Sequence, residues 1–368
     1  MEAIKFISSD KLQQQFSAAV RKNVKEYFSQ NGISTKGNFA MVVQTFAMLS
    51  LYLIPFALMI TLHVNIWLAL PFTILMGVGL AGIGMCVMHD AVHGSYSHKD
   101  WINKTLGGTM YLLGSNVFNW KIQHNILHHA YTNIDGYDED ISSRWPLRLS
   151  EFTPVRKIHR FQYIHAFFFY GLLTLSKLVK DLSQLIKYNK TGLTRQHHIN
   201  PTFELIKMSF VKVIYLVIFI GLPVLFSPFS WWQILIGFFI MHFTAGWIMS
   251  VVFQMAHVVE GGEQLLPNVD GVIDCEWAVH QLRTTSDFAR NNFLLNWYIG
   301  GLNFQIEHHL FRNICHIHYP KIAPIVEKTA KEFGFNYNLK PSFLNALRSH
   351  VHRLKELGKQ ISFSPITA

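Results

Sequence analysis

The chain has 368 residues, of which 50% are hydrophobic and only 15% are charged, and its net charge is +10 at pH 7. A soluble protein normally carries about 25% charged residues, so this composition argues against a soluble protein and predicts a membrane protein. Its three cysteines form no CxxC pair, which argues against a disulfide framework and a thiolate metal site. The positive charge suits anionic lipid headgroups. Nucleic-acid binding is not expected, because the chain holds no basic, aromatic-interleaved soluble module.

The N-terminal segment 1–39 is polar and amphipathic. It contains no short apolar run followed by small residues, so a cleaved signal peptide is not expected.

Four stretches are long and apolar enough to cross a bilayer, which requires about 20 such residues. They run over about 40–62, 66–88, 206–226 and 231–256. Very short turns join them in pairs, which predicts two hairpins. All 32 Lys and Arg residues lie outside these turns, so both termini and the large central region are predicted to be cytoplasmic.

The fold class predicted is therefore an all-α integral membrane protein, with four transmembrane helices in two hairpins and a cytoplasmic helical cap that holds a di-metal site. Two shorter apolar segments, about 105–118 and 161–176, are interpreted as interfacial or re-entrant. The predicted division is an N-terminal segment 1–39, a main domain 40–345 and a tail 346–368. The cap is predicted to comprise 89–205 and 257–345.

Histidine is the unusual residue, with 20 in the chain. HDAVH follows the second span and contains His89 and His93, which share a helix face at i, i+4. From Ile66 to His93 is about 42 Å of helix, against a hydrocarbon core of about 30 Å. The pair is therefore predicted to stand just outside the lipid.

Two further clusters and a single histidine lie on the same predicted side of the membrane. HNILHH contains His124, His128 and His129, and QIEHHL contains Gln305, His308 and His309. His257, in QMAH, ends the fourth span. One such histidine is usually an interfacial side chain, but three clusters with these spacings on one membrane face indicate a metal site.

These clusters contain no cysteine, and imidazole suits zinc, copper, iron and nickel. Seven cluster histidines plus His257 are too many for one ion, so two ions with open coordination positions are predicted. Such positions favour redox chemistry with oxygen over a closed structural zinc site. The remaining histidines are interpreted as non-ligands. His242 is the least certain of them, because a titratable group inside a span is a functional candidate.

HDAVH, HNILHH and QIEHHLF resemble the three histidine boxes of membrane-bound fatty acid desaturases. A glutamine at the head of the third box is similar to the front-end subgroup, which inserts a cis double bond between an existing one and the carboxyl end. The resemblance extends over about residues 35–345. It implies a centre of two iron ions, O2 as co-substrate, and no catalytic side chain beyond the metal ligands.

The ligands that the resemblance implies are His89, His93, His124, His128, His129, His257, His308 and His309. Gln305 takes a position that most other desaturases fill with histidine. Its amide oxygen would bind iron directly or through water, or would be only a hydrogen-bond partner of a ligand.

Partner groups that orient the imidazoles are expected beside the ligands. Asp90 and Glu307, which lie within the boxes, are the favoured candidates. Gln254 is a third candidate, because some relatives carry an asparagine where this chain has Phe253. The acidic run Asp135–Asp140 is interpreted first as a solvated loop.

The substrate implied is a fatty acyl chain carried on a glycerolipid, CoA or a carrier protein. The sequence holds no HPGG motif of a fused cytochrome b5 domain. A separate electron donor, ferredoxin or cytochrome b5 with its reductase, is therefore expected. This lack of a fused domain favours a bacterial cytoplasmic membrane over the endoplasmic reticulum.

Two alternatives remain open at this point. A related membrane di-iron hydroxylase or acetylenase would use the same histidines. A histidine-rich metal transporter is a more remote hypothesis, because it predicts polar or acidic residues within several spans.

Overall fold

The structure is a computed structural model that describes residues 4–62, 64–142 and 145–359. Those ranges are mostly helical, and they contain two pairs of two-residue parallel strands and no closed sheet. The backbone groups into two compact units. We call the described parts of 1–37, 123–166 and 252–368 the histidine unit, and those of 38–122 and 167–251 the span unit.

Within these described ranges, four helices are long and apolar enough to cross a membrane, which confirms the number of spans predicted. We call them spans 1 to 4: Phe39–Thr61, Ile66–Val92, Pro201–Phe226 and Trp231–His257. Span 2 contains a π-helical stretch, Ile83–Met88, and continues beyond the predicted end at residue 88. His63, in the predicted first turn, lies outside the described residues.

Asparagine caps define where the first three spans begin. The side chains of Asn38, Asn65 and Asn200 each accept a hydrogen bond from a backbone N–H in the first turn of the following span. The first amides of a helix have no intrahelical partner, and lipid offers them none. These caps therefore allow each of these spans to start sharply at its first residue.

The other helices of the span unit are shorter: Asp100–Gly107, Gly108–Leu113 (3-10), Val117–Trp120, Leu173–Lys190 and Leu193–Gln196. The predicted interfacial segment 105–118 thus consists of short helical pieces. In the segment 161–176, the helix Gln162–Gly171 precedes Leu173–Lys190.

The rest of the helices, outside the spans, are Lys11–Asn31, Lys121–His128 (π), Lys157–Phe161 (3-10), Trp277–Thr284, Phe293–Tyr298, Gln305–Leu310, His316–His318 (3-10), Tyr319–Glu332 and Phe343–Leu357. Strand Lys5–Phe6 pairs with Val272–Ile273, and Asp287–Phe288 pairs with Leu339–Lys340. The N-terminal helix Lys11–Asn31 is amphipathic as predicted, since Phe16 and Val20 are buried in the core of the histidine unit.

Glycines let the spans approach each other closely. A Cβ on Gly79 of span 2 would lie 2.6 Å from the backbone nitrogen of Tyr52 in span 1. A Cβ on Gly77 would lie 2.6 Å from the Met241 carbonyl oxygen in span 4. Small residues at helix contacts are a common means of packing in membranes, where the hydrophobic effect does not drive helices together.

A buried cation also holds the span unit together. Lys212 of span 3 lies 3.3 Å from the Asp181 carboxylate and donates hydrogen bonds to the carbonyl oxygens of Gly114, at 2.7 Å, and Lys177, at 3.0 Å. Asp181 also accepts from the Asn116 backbone amide. The ammonium group thereby joins span 3 to the helix Leu173–Lys190 and to the segment before Val117.

We predict that Lys212→Ala lowers the thermal stability of the detergent-solubilised protein, because removing one partner leaves Asp181 buried without its cation. Breaking a buried pair costs about 3 kcal/mol or more. Thermal unfolding should show a clear decrease in Tm, and Lys190→Ala, at an exposed position, should show almost none. An unchanged Tm for Lys212→Ala would mean that the pair does not stabilise the fold.

Candidate metal centre

Six of the eight predicted histidine ligands lie in the histidine unit, on three pieces of chain. His124, His128 and His129 lie at the end of the π-helix Lys121–His128 and just after it. His257 is the last residue of span 4. His308 and His309 lie on the short helix Gln305–Leu310. All six are buried, the most exposed being His257 at 6%.

The π-helical turn explains how His124, His128 and His129 converge. In an α-helix, residues five apart are rotated by about 140° from one another, so His129 would point away from His124. A π-helix has a wider turn, closed by i→i+5 hydrogen bonds. The rings of His124 and His129 are accordingly only 4.8 Å apart, and those of His124 and His128 are 5.2 Å apart.

Five of the six rings form two overlapping groups. In one, ligand atoms of His128, His257 and His309 all lie within 4.8 Å of one another. In the other, the same holds for His129, His308 and His309. His124 stacks on His308, with ring centroids 5.9 Å apart. Two groups that share His309 agree with a site for more than one ion.

The donor set fits a metal. Two nitrogens that bind one ion at about 2.1 Å each are at most about 4.2 Å apart, so only small side-chain movements separate these groups from coordination. Both ring nitrogens of His257 are buried and, within the described residues, have no hydrogen-bond partner. Buried polar atoms are normally satisfied, and a metal would satisfy one of these.

Asp138 fixes the orientation of His128. Its carboxylate is buried and lies 3.0 Å from His128 Nδ1, while it also accepts from the backbone amides of Asn133 and Asp140. A carboxylate accepts only, so Nδ1 carries a proton and Nε2 is the nitrogen that would bind a metal. Burial lowers the pKa of His128, but the Asp138 charge outweighs burial and raises it to about 9. A metal that binds Nε2 would therefore displace a proton from this ring.

Neutral groups orient two further ligands. His309 Nδ1 lies 2.9 Å from Gln281 Oε1 and 3.1 Å from Thr132 Oγ1. His308 Nδ1 lies 3.3 Å from the Tyr319 hydroxyl. These arrangements resemble the partner groups that usually hold metal-bound imidazoles. Sequence reasoning missed Gln281, Thr132 and Tyr319, since no local pattern relates them to the clusters.

Asn133 connects the second cluster to the end of span 4. Its backbone is left-handed, with φ 58°, and its side-chain amide donates to the carbonyl oxygens of His257, Thr284 and Glu263 at 3.0, 3.1 and 3.2 Å. One buried amide therefore ties three separate backbone segments together beside the ligands.

Gln305, the non-histidine position of the third cluster, is buried and lies beside His257. Its Nε2 donates to the Leu302 carbonyl oxygen at 2.9 Å. The side chain also interacts with the His257 imidazole, outside ordinary hydrogen-bond geometry. The amide therefore belongs to the surroundings of the group His128, His257 and His309.

Glu307, a predicted orienting group, has its closest described contacts with groups other than histidine. The Tyr337 hydroxyl donates to Asp287 Oδ2 at 2.6 Å and lies 2.9 Å from Glu307 Oε1. Asp287 also accepts from the Ile306 amide at 3.0 Å, so it caps the helix that carries His308 and His309. Burial raises the pKa of Glu307 well above its usual value, and the neighbouring Asp287 charge raises it further.

The other two predicted ligands, His89 and His93, lie in the span unit. Their rings are 4.7 Å apart, at the end of span 2, as the i, i+4 spacing predicts. Asp90 is buried, and its carboxylate lies 3.8 Å from His89 Nδ1. The third orienting candidate, Gln254 of the histidine unit, has a buried Oε1 with no hydrogen-bond partner in the described ranges.

Several histidines interpreted as non-ligands have ordinary hydrogen-bond partners. His242 lies 2.7 Å from the Tyr215 hydroxyl and 3.0 Å from Thr174 Oγ1. His280 Nε2 lies 2.8 Å from the Thr132 carbonyl oxygen, and His350 Nδ1 lies 2.7 Å from the Val258 carbonyl oxygen. These contacts give His242 a structural role inside the span unit.

Comparisons with known proteins agree with this geometry. The family profile described as "Fatty acid desaturase" matches residues 65–341. The chain is 35% identical to an sn-1 linoleoyl-lipid 6-desaturase of Arthrospira platensis, over 93% of this chain and 92% of the relative. The protein of the same name in Synechocystis is also 35% identical, over 94% and 96%. An acyl-lipid (8-3)-desaturase of Physcomitrium patens is 32% identical, over 95% and 73%.

We predict that Asp138→Asn lowers the affinity of the purified protein for metal by about 10- to 100-fold, the usual effect of removing a partner of a metal-bound histidine. Metal content after dialysis against a weak chelator would measure the loss. Asp135→Asn, in the same acidic run, is the matched control and should retain metal. Equal metal content in both variants would show that Asp138 does not support the site.

Proposed function

Because this chain belongs to the fatty acid desaturase family, we propose that it inserts a cis double bond on the carboxyl side of an existing double bond in a lipid-linked acyl chain. The observation that carries this proposal is the convergence of six buried imidazoles in the histidine unit. As a desaturase, the protein is an oxidoreductase. Neither a hydroxylase, an acetylenase nor a transporter is favoured by the relatives.

The position of the new bond is inferred from the relatives. The two cyanobacterial proteins are named as linoleoyl-lipid 6-desaturases, and each aligns along nearly its whole length with this chain. The moss relative is named as an (8-3)-desaturase. We therefore infer a linoleoyl-type substrate and a new bond at position 6, with a glycerolipid as the acyl carrier.

The metal site is proposed to hold two iron ions. The proposed ligand set comprises the six histidines of the histidine unit together with His89 and His93. The last two are included because their stretch, HDAVH, resembles a histidine box of the family. When bound, the irons supply the oxidising power from O2 that unactivated C–H bonds require and that side chains lack. Imidazole is a suitable donor for iron.

The chain's own residues prepare this site. Asp138 and Gln281 accept the Nδ1 protons of His128 and His309, so that Nε2 is the nitrogen that each ring leaves for a metal. Asp287 holds the start of the helix Gln305–Leu310. Gln305 places a neutral amide beside His257. We propose that the oxygen of this amide binds one iron, directly or through water, more weakly than an imidazole would.

The remaining proposals concern the surroundings of the enzyme. Four apolar helices fit a membrane protein. The absence of Lys and Arg from the two turns supports cytoplasmic termini. We propose a bacterial cytoplasmic membrane, a separate ferredoxin or cytochrome b5 as electron donor, and the domain boundaries at residues 39 and 345.

The direct test is fatty acid analysis of a host that expresses the protein, supplies ferredoxin and its reductase, and is fed linoleate. We expect a new double bond at position 6, located by mass spectrometry of derivatised lipids, and none with His308→Ala. A hydroxylated product would overturn desaturation, whereas a bond on the methyl side would overturn only the front-end assignment.

Gln305 provides a second prediction. Gln305→Leu removes the amide with little change in volume, and we expect product formation to fall at least about tenfold, as loss of one polar interaction at a metal site gives. Gln305→His should bind two irons, with an altered Mössbauer signal from one of them. Unchanged spectra and rates in both variants would mean that the amide has no part in the site.

A further inference from the structure

A cavity of about 330 Å³ lies in the span unit, directly after span 2. Its walls are the residues that end span 2, including His93, and the helices Asp100–Gly107 and Gly108–Leu113. Lys104 and Lys121 contribute basic groups to its lining. None of these lining residues except His93 has a role in the metal site.

The position of the cavity along span 2 places it at the level of the lipid headgroups. Span 2 has 27 residues, or about 40 Å of helix, whereas the hydrocarbon core is about 30 Å thick. Trp101, on a helix that lines the cavity, is 65% exposed. Exposed tryptophan is typical of the membrane–water interface.

The charge of the cavity suits an anion. Both lysines are exposed, and within the part of the chain that the structure describes their ammonium groups make no ion pair or hydrogen bond. Asp100 is the acidic residue of the lining. Lysine is a common ligand of phosphate groups.

The length of the substrate links this cavity to the reaction. An extended chain advances about 1.2 Å per bond, so the ester carbonyl is only about 6 Å from a carbon at position 6. A lipid that reacts so near its carboxyl end must therefore bind its headgroup next to the metal ligands. The cavity meets this condition, because His93 forms part of its wall.

We propose that this cavity binds the phosphate-bearing headgroup of a glycerophospholipid whose acyl chain is the substrate, with Lys104 and Lys121 contacting the phosphate. The inference rests on the proposed front-end function. It assigns the lipid carrier to a chemical class. It also explains how the enzyme sets the position of the new double bond relative to the carboxyl end of the acyl chain.

The test uses two kinds of variant in the full-length, metal-loaded protein. Lys104→Ala/Lys121→Ala removes both charges. Gly108→Leu fills the cavity, since Gly108 is helical and a Cβ there would meet only Tyr111, at 3.9 Å. The control variant, Lys187→Ala/Lys190→Ala, also removes two lysine charges, but from a helix that does not line the cavity. Metal content is measured in all of them.

The first readout is native mass spectrometry of lipid retained from micelles that contain equal phosphatidylglycerol and monogalactosyldiacylglycerol. We expect the wild type to prefer the phospholipid, and the double lysine variant to bind it about tenfold more weakly, as loss of a hydrogen bond to a charged group predicts. Gly108→Leu should retain neither lipid, and the control pair should match the wild type.

Equal phospholipid retention by the wild type and the double lysine variant would overturn the proposal. A wild type that retains the galactolipid equally well would overturn the assignment to phosphate. The second readout, desaturation of linoleoyl-phosphatidylglycerol, separates the two proposals. If the phospholipid is retained by the wild type and lost from the double lysine variant, but no product forms, the desaturase function alone is refuted. If product forms, and the KM is the same in the wild type, the double lysine variant and Gly108→Leu, the headgroup site alone is refuted.

Discussion

The histidine unit depends on keeping six imidazoles buried and close together. Burial disfavours charge on each ring, and a positive charge on one ring disfavours charge on its neighbours. Adjacent neutral rings, however, need hydrogen-bond partners that the interior does not automatically provide. The structure meets this need with acceptors that take the Nδ1 proton, Asp138 for His128 and Gln281 for His309. The opposite nitrogen of each of these two rings is then left for a metal.

Much of the polar interior serves these acceptors in turn. Asp138 is held by two backbone amides, and Gln281 by the Thr132 hydroxyl. Asn133 binds three carbonyl groups that lie on different segments of the chain. Such networks are costly when only partly satisfied, so the segment from Thr132 to Asp140 has a defined conformation although it contains no regular secondary structure.

The periodic features of this protein could be predicted from the sequence, whereas its non-local polar contacts could not. The four spans follow from apolar length alone, and the histidine spacings follow from helix geometry. The acidic run Asp135–Asp140 was interpreted first as a solvated loop, because composition cannot show that Asp138 turns inward. Gln281 lies 28 positions from the ring it contacts, and Tyr337 lies 30 from Glu307, so no local pattern relates them. The π-helix was also missed, since HNILHH fits an α-helical i, i+4 pattern equally well.

That π-helix holds one residue more per turn than an α-helix would, because its turns are closed by i→i+5 bonds. Deleting one residue between His124 and His129 would let the segment return to α geometry. The two rings would then be four residues apart and about 40° apart around the helix axis, so they would still share one face of the helix. In the descent of such a protein, the segment would therefore tolerate the loss of one residue here, as well as exchange of the outward residues, without separating these two rings.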